Sequence, residues 1–288
     1  MKALEYLSDG LYLPAFVVGV ALALLCAALS VLVVLRRLSF IGQGISHAAL
    51  GGIGVAAALG TLLDRMMNTG RAGTQHVGLS LGQFAVVFVV CLGCALLIGR
   101  MARTTNADTA IGVVLVASMS VGAVLLQHFT RASVAWESYL FGSIIGATWL
   151  DAGLALGACV LTLLTLWWVR RPLTLWAFDP PAAESLGVSP ARMSFVLMTL
   201  LALATVTAMK LAGVVLATAL LVLPGAIALR VAATRTGVLI AAFVAGLAGV
   251  LLGLVVACQW DWTPGASIVL VLAVVYAAVH VLPRTRGA

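Results

Sequence analysis

Long apolar runs, separated by short stretches that carry most of the charged residues, constrain the fold of this chain more than any other feature. Each run is about 20 residues long, the length that an α-helix needs to cross the hydrocarbon core of a bilayer. Of the 288 residues, 63% are hydrophobic and 9% are charged, whereas a soluble domain carries about 25% charged residues. The pattern predicts an all-α polytopic membrane protein, with residues 1–288 in one transmembrane domain.

About nine of these runs are long enough to span a membrane as helices. The predicted spans are Leu11–Leu35, Ile45–Leu63, Leu79–Ile98, Ala110–Gln127, Leu150–Val169, Met193–Met209, Leu211–Leu229, Val238–Ala257 and Ala266–Leu282. The segment Ala135–Trp149 is too short and too polar for a full span, so we expect it to be external or re-entrant. Glycines in the second and eighth spans are expected to bring neighbouring helices close together.

Lysine and arginine residues predict the orientation of the spans, because cytoplasmic loops are enriched in both. If the spans alternate in direction, most basic residues fall on one side, including Arg36–Arg37, Arg100, Arg170–Arg171, Arg230 and Arg284. That side is predicted to be cytoplasmic, with the N-terminus outside and the C-terminus inside. Since the basic residues are spread between the spans, the net charge of +7 indicates topology and not a nucleic-acid partner.

The stretch Gly42–Leu50 places an amide, a hydroxyl and an imidazole at the start of the second apolar run. Polar side chains are costly there, and each is a candidate for a functional site. Gln43 and His47 are four residues apart, so a helix puts them on one face. Imidazole favours zinc, iron, nickel or copper over magnesium and calcium, and we interpret His47 and Gln43 as part of a metal pathway. The alternative is a histidine that hydrogen-bonds a neighbouring carbonyl.

The segment Arg170–Arg192 is the longest predicted cytoplasmic loop. Asp179 can cap a short helix that begins at Pro180 and stops at Gly187. A short helix on the basic side of the membrane is typical of a docking element and not of a span. An ordinary surface loop is the alternative interpretation.

Two further residues interrupt the apolar runs near the C-terminal half. Lys210 is expected to mark a hairpin between two spans and to extend its side chain to the external interface, although a place in the pathway is also open. Pro224 is expected to kink the seventh span and to free a carbonyl one turn earlier. Broken spans often line transport routes, but many simply bend.

The other cysteines and histidines give weaker signals. Cys91 and Cys94 lie on one helix face and are interpreted as packing residues, with a metal or redox pair as the alternative. His76 and His128 are predicted to lie in external loops, and His280 near the cytoplasmic end of the last span. The sequence has no Walker A phosphate-binding loop and no HExxH motif, so an active transporter would need its ATPase on a separate chain.

Four stretches of the sequence resemble the membrane subunit of bacterial ABC importers for divalent metals, the zinc/manganese/iron ABC-3 permease family. The similar stretches are 35–48, 139–146, 178–188 and 210–226. They occur in the order and spacing of that family, and with the shared hydropathy pattern the resemblance covers nearly the whole chain.

The resemblance implies an ABC-3 type importer permease in a bacterial inner membrane, as a homodimer with one translocation pathway. Two cytoplasmic ATPase subunits would drive alternating access, and an external binding protein would deliver zinc, manganese or iron. This chain would bind no cofactor and catalyse no reaction. In this arrangement the segment 170–192 would couple to the ATPase, through Phe178, Asp179, Pro180, Glu184, Leu186 and Gly187.

Two positions near the histidine depart from the family pattern. Four residues before His47, the family usually has an aspartate, and this chain has Gln43. After the apolar pair that follows the histidine, the family usually has a proline, and this chain has Gly51. An amide is a weaker ligand than a carboxylate for a hard cation, and a neutral site holds a bare dication less firmly. The change is compatible with rapid release or with a chelated substrate.

Two other classes of function, an ion-coupled secondary transporter and an intramembrane enzyme, require residues in particular positions. An ion-coupled secondary transporter of a small polar solute or metal is expected to have carboxylates in span centres, whereas Asp108, Asp151 and Asp261 all fall near span ends. An intramembrane enzyme needs a catalytic pair that faces each other. His47 has no evident partner beyond Ser46, its neighbour in the sequence. Adjacent helical residues point about 100° apart, which counts against an intramembrane enzyme.

Overall fold

The computed structural model describes residues 13–67, 81–129, 144–260 and 262–281, and within these ranges the chain is helical and has no strands. A 3₁₀ turn at Ile144–Gly146 precedes the fifth helix. The helices are α1 (Leu13–Leu35), α2 (Ile41–Met67), α3 (Leu81–Met101), α4 (Ala107–Phe129), α5 (Trp149–Phe178), α6 (Pro180–Ser185), α7 (Pro190–Ala212), α8 (Val214–Val231), α9 (Arg235–Trp260) and α10 (Pro264–Val281).

Over the described ranges, nine helices are long and apolar enough to cross a membrane, and α6 is the short exception. Each of the nine corresponds to one predicted span, so the prediction of an all-α, multi-pass membrane protein is confirmed. Residues 135–143 of the predicted re-entrant segment lie outside the described residues. Its remaining residues form the 3₁₀ turn and lead into the start of α5.

The largest correction to the predicted spans concerns the end of α5. The sequence predicted a loop over 170–192, but the helix continues through Pro172 to Phe178. The prediction followed hydropathy, which falls at the arginines, whereas arginine is a good helix former. Proline removes one backbone donor from a helix, here the donor to the Trp168 carbonyl. The Thr174 hydroxyl adds a different bond in this turn, to the Arg170 carbonyl at 2.7 Å.

The chain forms two compact units, and the first contains α1, α5, α6, α8, α9, α10 and both ends of α7. Helix α1 packs against α5, α8 and α9, and Leu22, Leu25 and Leu29 are fully buried. Glycine makes one of these contacts very close, because a Cβ on Gly225 of α8 would lie 2.5 Å from the Ser30 carbonyl oxygen. A side chain at this position would force the two helices apart.

Helices α9 and α10 of the first unit also approach through glycines. Gly249 contacts Leu272 and Gly253 contacts Ile268, with no room for a Cβ at either glycine. The predicted packing role of the glycines in this span is confirmed.

The second unit contains α2, α3, α4 and the middle of α7. Helix α2 packs against α3 and α4, again through glycines. A Cβ on Gly51 would lie 2.9 Å from the Ser118 carbonyl oxygen of α4, and a Cβ on Gly52 would lie 2.9 Å from the Val87 Cα of α3. The packing role predicted for glycines in the second span is thus confirmed too, while the assignment of residues 1–288 to one domain stays a prediction.

Candidate metal pathway and coupling segment

The face of α2 that carries Gln43 changes from exposed to buried along the helix. Gln43 is exposed, His47 is half-buried and Leu50 is buried. One turn further on, Gly54 packs closely against Gly122 of α4. These residues follow the i, i+4, i+7, i+11 spacing of a single helix face. His47 therefore lies where the open part of this face ends.

Contacts with α3 and α4 fix the backbone that carries this polar face. A Cβ on Gly44 would lie 2.9 Å from the Ile111 side chain of α4. The thiol of Cys91, which is buried in α3, donates a weak hydrogen bond to the Ile45 carbonyl at 3.6 Å. The contact supports the packing interpretation of Cys91 and places its side chain against α2.

Gln43 and His47 offer a metal ion one amide oxygen and one imidazole. In the described part of the chain, no group of three or more His, Cys, Asp or Glu side chains could hold a metal ion. A closed zinc site takes four ligands, so one copy of this chain supplies an incomplete ligand set from these residues. The pair is also uncharged when the imidazole is neutral, which suits an ion that passes through more than an ion that is stored.

The second departure from the family pattern, Gly51, has a steric reason in this structure. A Cβ at this position would lie only 2.9 Å from the Ser118 carbonyl oxygen, which leaves no room for a side chain. A proline ring does not fit at this separation of α2 and α4. The close packing of α2 against α4 therefore requires glycine at position 51.

Asp179 ends α5 and begins α6. Its backbone N–H donates to the Leu175 carbonyl at 2.9 Å, and its carboxylate accepts a hydrogen bond from the Ala182 N–H at 3.1 Å. Pro180 takes the first position of α6, where a backbone donor is not needed. After α6 the chain turns at Gly187, whose φ is 80°, a conformation that glycine adopts without strain. The predicted short capped helix is confirmed.

The short helix has one buried and several exposed side chains. Ala183 is fully buried and anchors α6. Phe178, Glu184 and Leu186 are exposed, Leu186 to 71%. Two large apolar groups and a carboxylate are therefore available to a partner protein beside this helix.

Two arginines hold the C-terminal end of α5, a feature that sequence reasoning missed. The Arg36 guanidinium carbon, just after α1, lies 4.0 Å from the centre of the Trp176 ring. The Arg235 guanidinium carbon, at the start of α9, lies 5.4 Å from the centre of the Phe178 ring. Both are within the range of a cation–π interaction. The turn that leads into α6 is thereby attached to α1 and α9.

The N-terminal end of α5 is held by an ion pair. The Lys210 ammonium, near the end of α7, lies 3.2 Å from a carboxylate oxygen of Asp151. Asp151 also forms a capping box with Thr148, whose backbone N–H donates to the carboxylate at 3.1 Å. The hairpin predicted at Lys210 is confirmed by the break at Gly213 between α7 and α8. The sequence missed the ion pair, although both charges fall near the ends of predicted spans.

Comparison with known proteins identifies the family of this chain. A sequence model described as the ABC 3 transport family matches residues 8–282. The chain belongs to the ABC 3 transport family. It is 28% identical over 275 residues to a manganese transport system membrane protein of Halalkalibacterium halodurans, covering 95% of this chain and 87% of the relative.

Another relative and a solved structure agree with this ABC 3 family assignment. The high-affinity zinc uptake system membrane protein ZnuB of Haemophilus influenzae is 27% identical over 263 residues, covering 91% of this chain and 94% of the relative. The structure of PsaBC from Streptococcus pneumoniae in complex with Fab superposes with a TM-score of 0.80 at 25% identity, covering 99% of this chain and 96% of that chain. The predicted resemblance and the predicted ABC-3 type permease fold are confirmed.

The remaining predicted residues of this ABC 3 family member have separate positions. Pro224 lies inside α8, which is one helix on both sides of it. His128 lies in the last turn of α4, so its predicted loop position is wrong because the helix extends beyond the apolar run. His280 lies in the last turn of α10, as predicted, and His76 lies outside the described residues.

Proposed function

We propose that this chain is the transmembrane subunit of an ATP-driven importer for a divalent metal ion: manganese, zinc or iron. Membership of the ABC 3 transport family supports the transporter class, and the manganese and zinc relatives support the cargo. The observation that carries the proposal is the position of His47. Its imidazole is a ligand that suits zinc and iron, with Gln43 on the same helix face, at the point where that face becomes buried.

A second copy of the chain would complete the ligand set. Two-fold symmetry presents the same patch from each subunit, so a homodimer would bring a second imidazole and a second amide to a shared passage. Two imidazoles and two amides make four ligands, the number of a tetrahedral zinc site. Without carboxylates, such a site would release its ion readily.

The ATPase would act on this chain through α6. The exposed Phe178 and Leu186 fit a helix-in-groove contact, with Glu184 beside them. Movement of α6 would reach α1 through Arg36 on Trp176 and α9 through Arg235 on Phe178. In the proposed alternating access, these two contacts would transmit a movement of α6 to helices α1 and α9.

The other parts of the proposed transporter follow from the same class. ATP hydrolysis would take place on separate cytoplasmic subunits, and an external binding protein would deliver the ion to the chain in the inner membrane. The ion-coupled secondary transporter stays the less supported candidate. In the described helices, Asp108 and Asp151 occupy first turns and not span centres.

Growth rescue tests this function. The chain is expressed with its ATPase and binding protein in a bacterial strain that lacks its own importers for manganese, zinc or iron. Rescue is expected for one of the three metals, with the unmodified chain and with the matched control His128→Ala, but not with His47→Ala. Failure to rescue growth on any metal would contradict the cargo, and rescue by His47→Ala would remove this residue from the pathway.

A further inference from the structure

Two tryptophans mark the depth of α5 in a membrane. Trp149 is 62% exposed and Trp168 is 83% exposed. At 1.5 Å per residue they lie about 28 Å apart along the helix, close to the hydrocarbon thickness of about 30 Å. Since tryptophan collects at both membrane interfaces, Trp168 marks the interface at the arginine-rich end. Arg170 and Arg171 follow it directly, and the sequence predicts this end to be cytoplasmic.

At the same depth, an apolar groove opens between α5 and the start of α7. Its volume is about 450 Å³. Its wall is almost entirely apolar, and the lining residues are Val169, Ala191, Arg192, Met193, Phe195 and Val196. The groove therefore combines an apolar wall with one lining arginine, whose side chain is exposed.

Further positive charge lies at the same end of α5. Arg170 and Arg171 are exposed, as is Arg192 itself. The Arg170 guanidinium carbon lies 5.6 Å from the centre of the Trp167 ring, on the face of α5 opposite Val169. Among the described residues, no carboxylate forms an ion pair with any of these three arginines. The charge at the groove is thus left for an external anion.

We propose that this groove binds an anionic phospholipid of the cytoplasmic leaflet, with an acyl chain against the apolar wall and the phosphate at Arg192. The cytoplasmic leaflet carries the anionic lipids that attract basic residues. A small soluble anion would gain nothing from the apolar wall, and a zwitterionic lipid would gain little from the arginines. The proposal depends on the groove and its charges and not on the transported solute.

Lipid binding to the purified chain tests the charge requirement. Native mass spectrometry in detergent compares phosphatidylglycerol with phosphatidylcholine. Phosphatidylglycerol is expected to bind more tightly, and Arg192→Gln should weaken its binding about fivefold, the effect of one basic residue near a membrane surface. The matched control Arg103→Gln, an exposed arginine after α3, should bind as the parent does. Equal binding of the two lipids, or an equal loss in the control, would overturn the proposal.

A photo-crosslink identifies the occupant without altering the arginines. Phe195 is replaced by p-benzoylphenylalanine, and the assembled transporter is irradiated in phosphatidylcholine vesicles that contain phosphatidylglycerol. The expected product is this chain plus the mass of phosphatidylglycerol, enriched above its share of the vesicle lipid. Crosslinks to a second copy of the chain or to the ATPase, or lipid adducts in the proportions of the vesicle, would overturn the proposal.

Discussion

The two ends of α5 are held by different kinds of contact. At the N-terminal end, Asp151 pairs with Lys210 at 3.2 Å and caps the helix with Thr148. At the C-terminal end, the rings of Trp176 and Phe178 lie against arginines of α1 and α9. A hydrogen-bonded ion pair requires close and directed geometry, whereas a cation keeps its attraction over a range of positions on a ring face. The first end suits a fixed attachment, and the second would tolerate the movement of α6 that the proposed coupling requires.

Breaking the fixed attachment should have the largest effect on stability. Lys210→Met removes the cation from a partly buried carboxylate, and the loss of one partner of such a hydrogen bond costs about 1–3 kcal/mol. Unfolding of the purified chain in detergent measures this loss. The double variant Lys210→Met with Asp151→Asn should recover most of it, because the amide carries no charge and keeps an oxygen that accepts from the Thr148 N–H. A single variant as stable as the parent would contradict the fixed attachment.

Weakening the contact between Phe178 and Arg235 at the C-terminal end of α5 should affect transport more than folding. Phe178→Ala removes the ring against Arg235, a contact worth about 1 kcal/mol, and we expect metal uptake to fall about fivefold while ATP hydrolysis continues. Both rates are measured on one reconstituted preparation. Phe40→Ala is the matched control, because Phe40 is also an exposed phenylalanine. An equal loss of uptake in both variants would contradict a specific role for Phe178.

The cap between α5 and α6 should have a smaller effect. Asp179→Ala removes the acceptor for the Ala182 N–H, which costs about 1 kcal/mol of local helix stability. Binding of the ATPase to the chain is expected to weaken up to about fivefold as α6 frays. Asp179→Asn keeps an oxygen at this position and should bind nearly as the parent does. If Asp179→Ala binds the ATPase normally, the capped helix is not required for docking.

The smallest expected effect lies next to Arg36. Arg37 has a φ of 55° and closes the end of α1, where the Leu38 N–H donates to the Val33 carbonyl at 2.9 Å. Glycine takes this left-handed conformation without strain, so Arg37→Gly should raise the free energy of unfolding by about 0.5–1 kcal/mol. Uptake should stay unchanged, because the Arg36 contact with Trp176 is kept. A lower unfolding free energy would show that Arg37 makes a favourable contact that outweighs its strain.

Features that depend on neighbouring residues were predictable from the sequence. The apolar runs gave the nine spans, and Asp179, Pro180 and Gly187 gave the short helix, because capping acts within a few residues. The exposed face of α2 was predictable in part. The spacing of Gln43 and His47 put them on one face, but the point where that face becomes buried depends on the packing of other helices.

Contacts between distant residues were not predictable from a single sequence. Arg36 meets Trp176, and Arg235 meets Phe178, across long stretches of chain that no local pattern links. The end of α5 was misplaced for a related reason. Hydropathy reports where a helix leaves the membrane, whereas the helix itself ends at Asp179, where the backbone is capped.

Uptake of metal into proteoliposomes tests the central claim most directly. The chain is reconstituted with its ATPase and binding protein, and manganese, zinc and iron are each supplied in turn with ATP. We predict uptake of at least one metal by the parent and by His128→Ala, and uptake at background level by His47→Ala with its ATPase still bound. Normal uptake by His47→Ala would contradict the claim that this imidazole carries the ion through the chain.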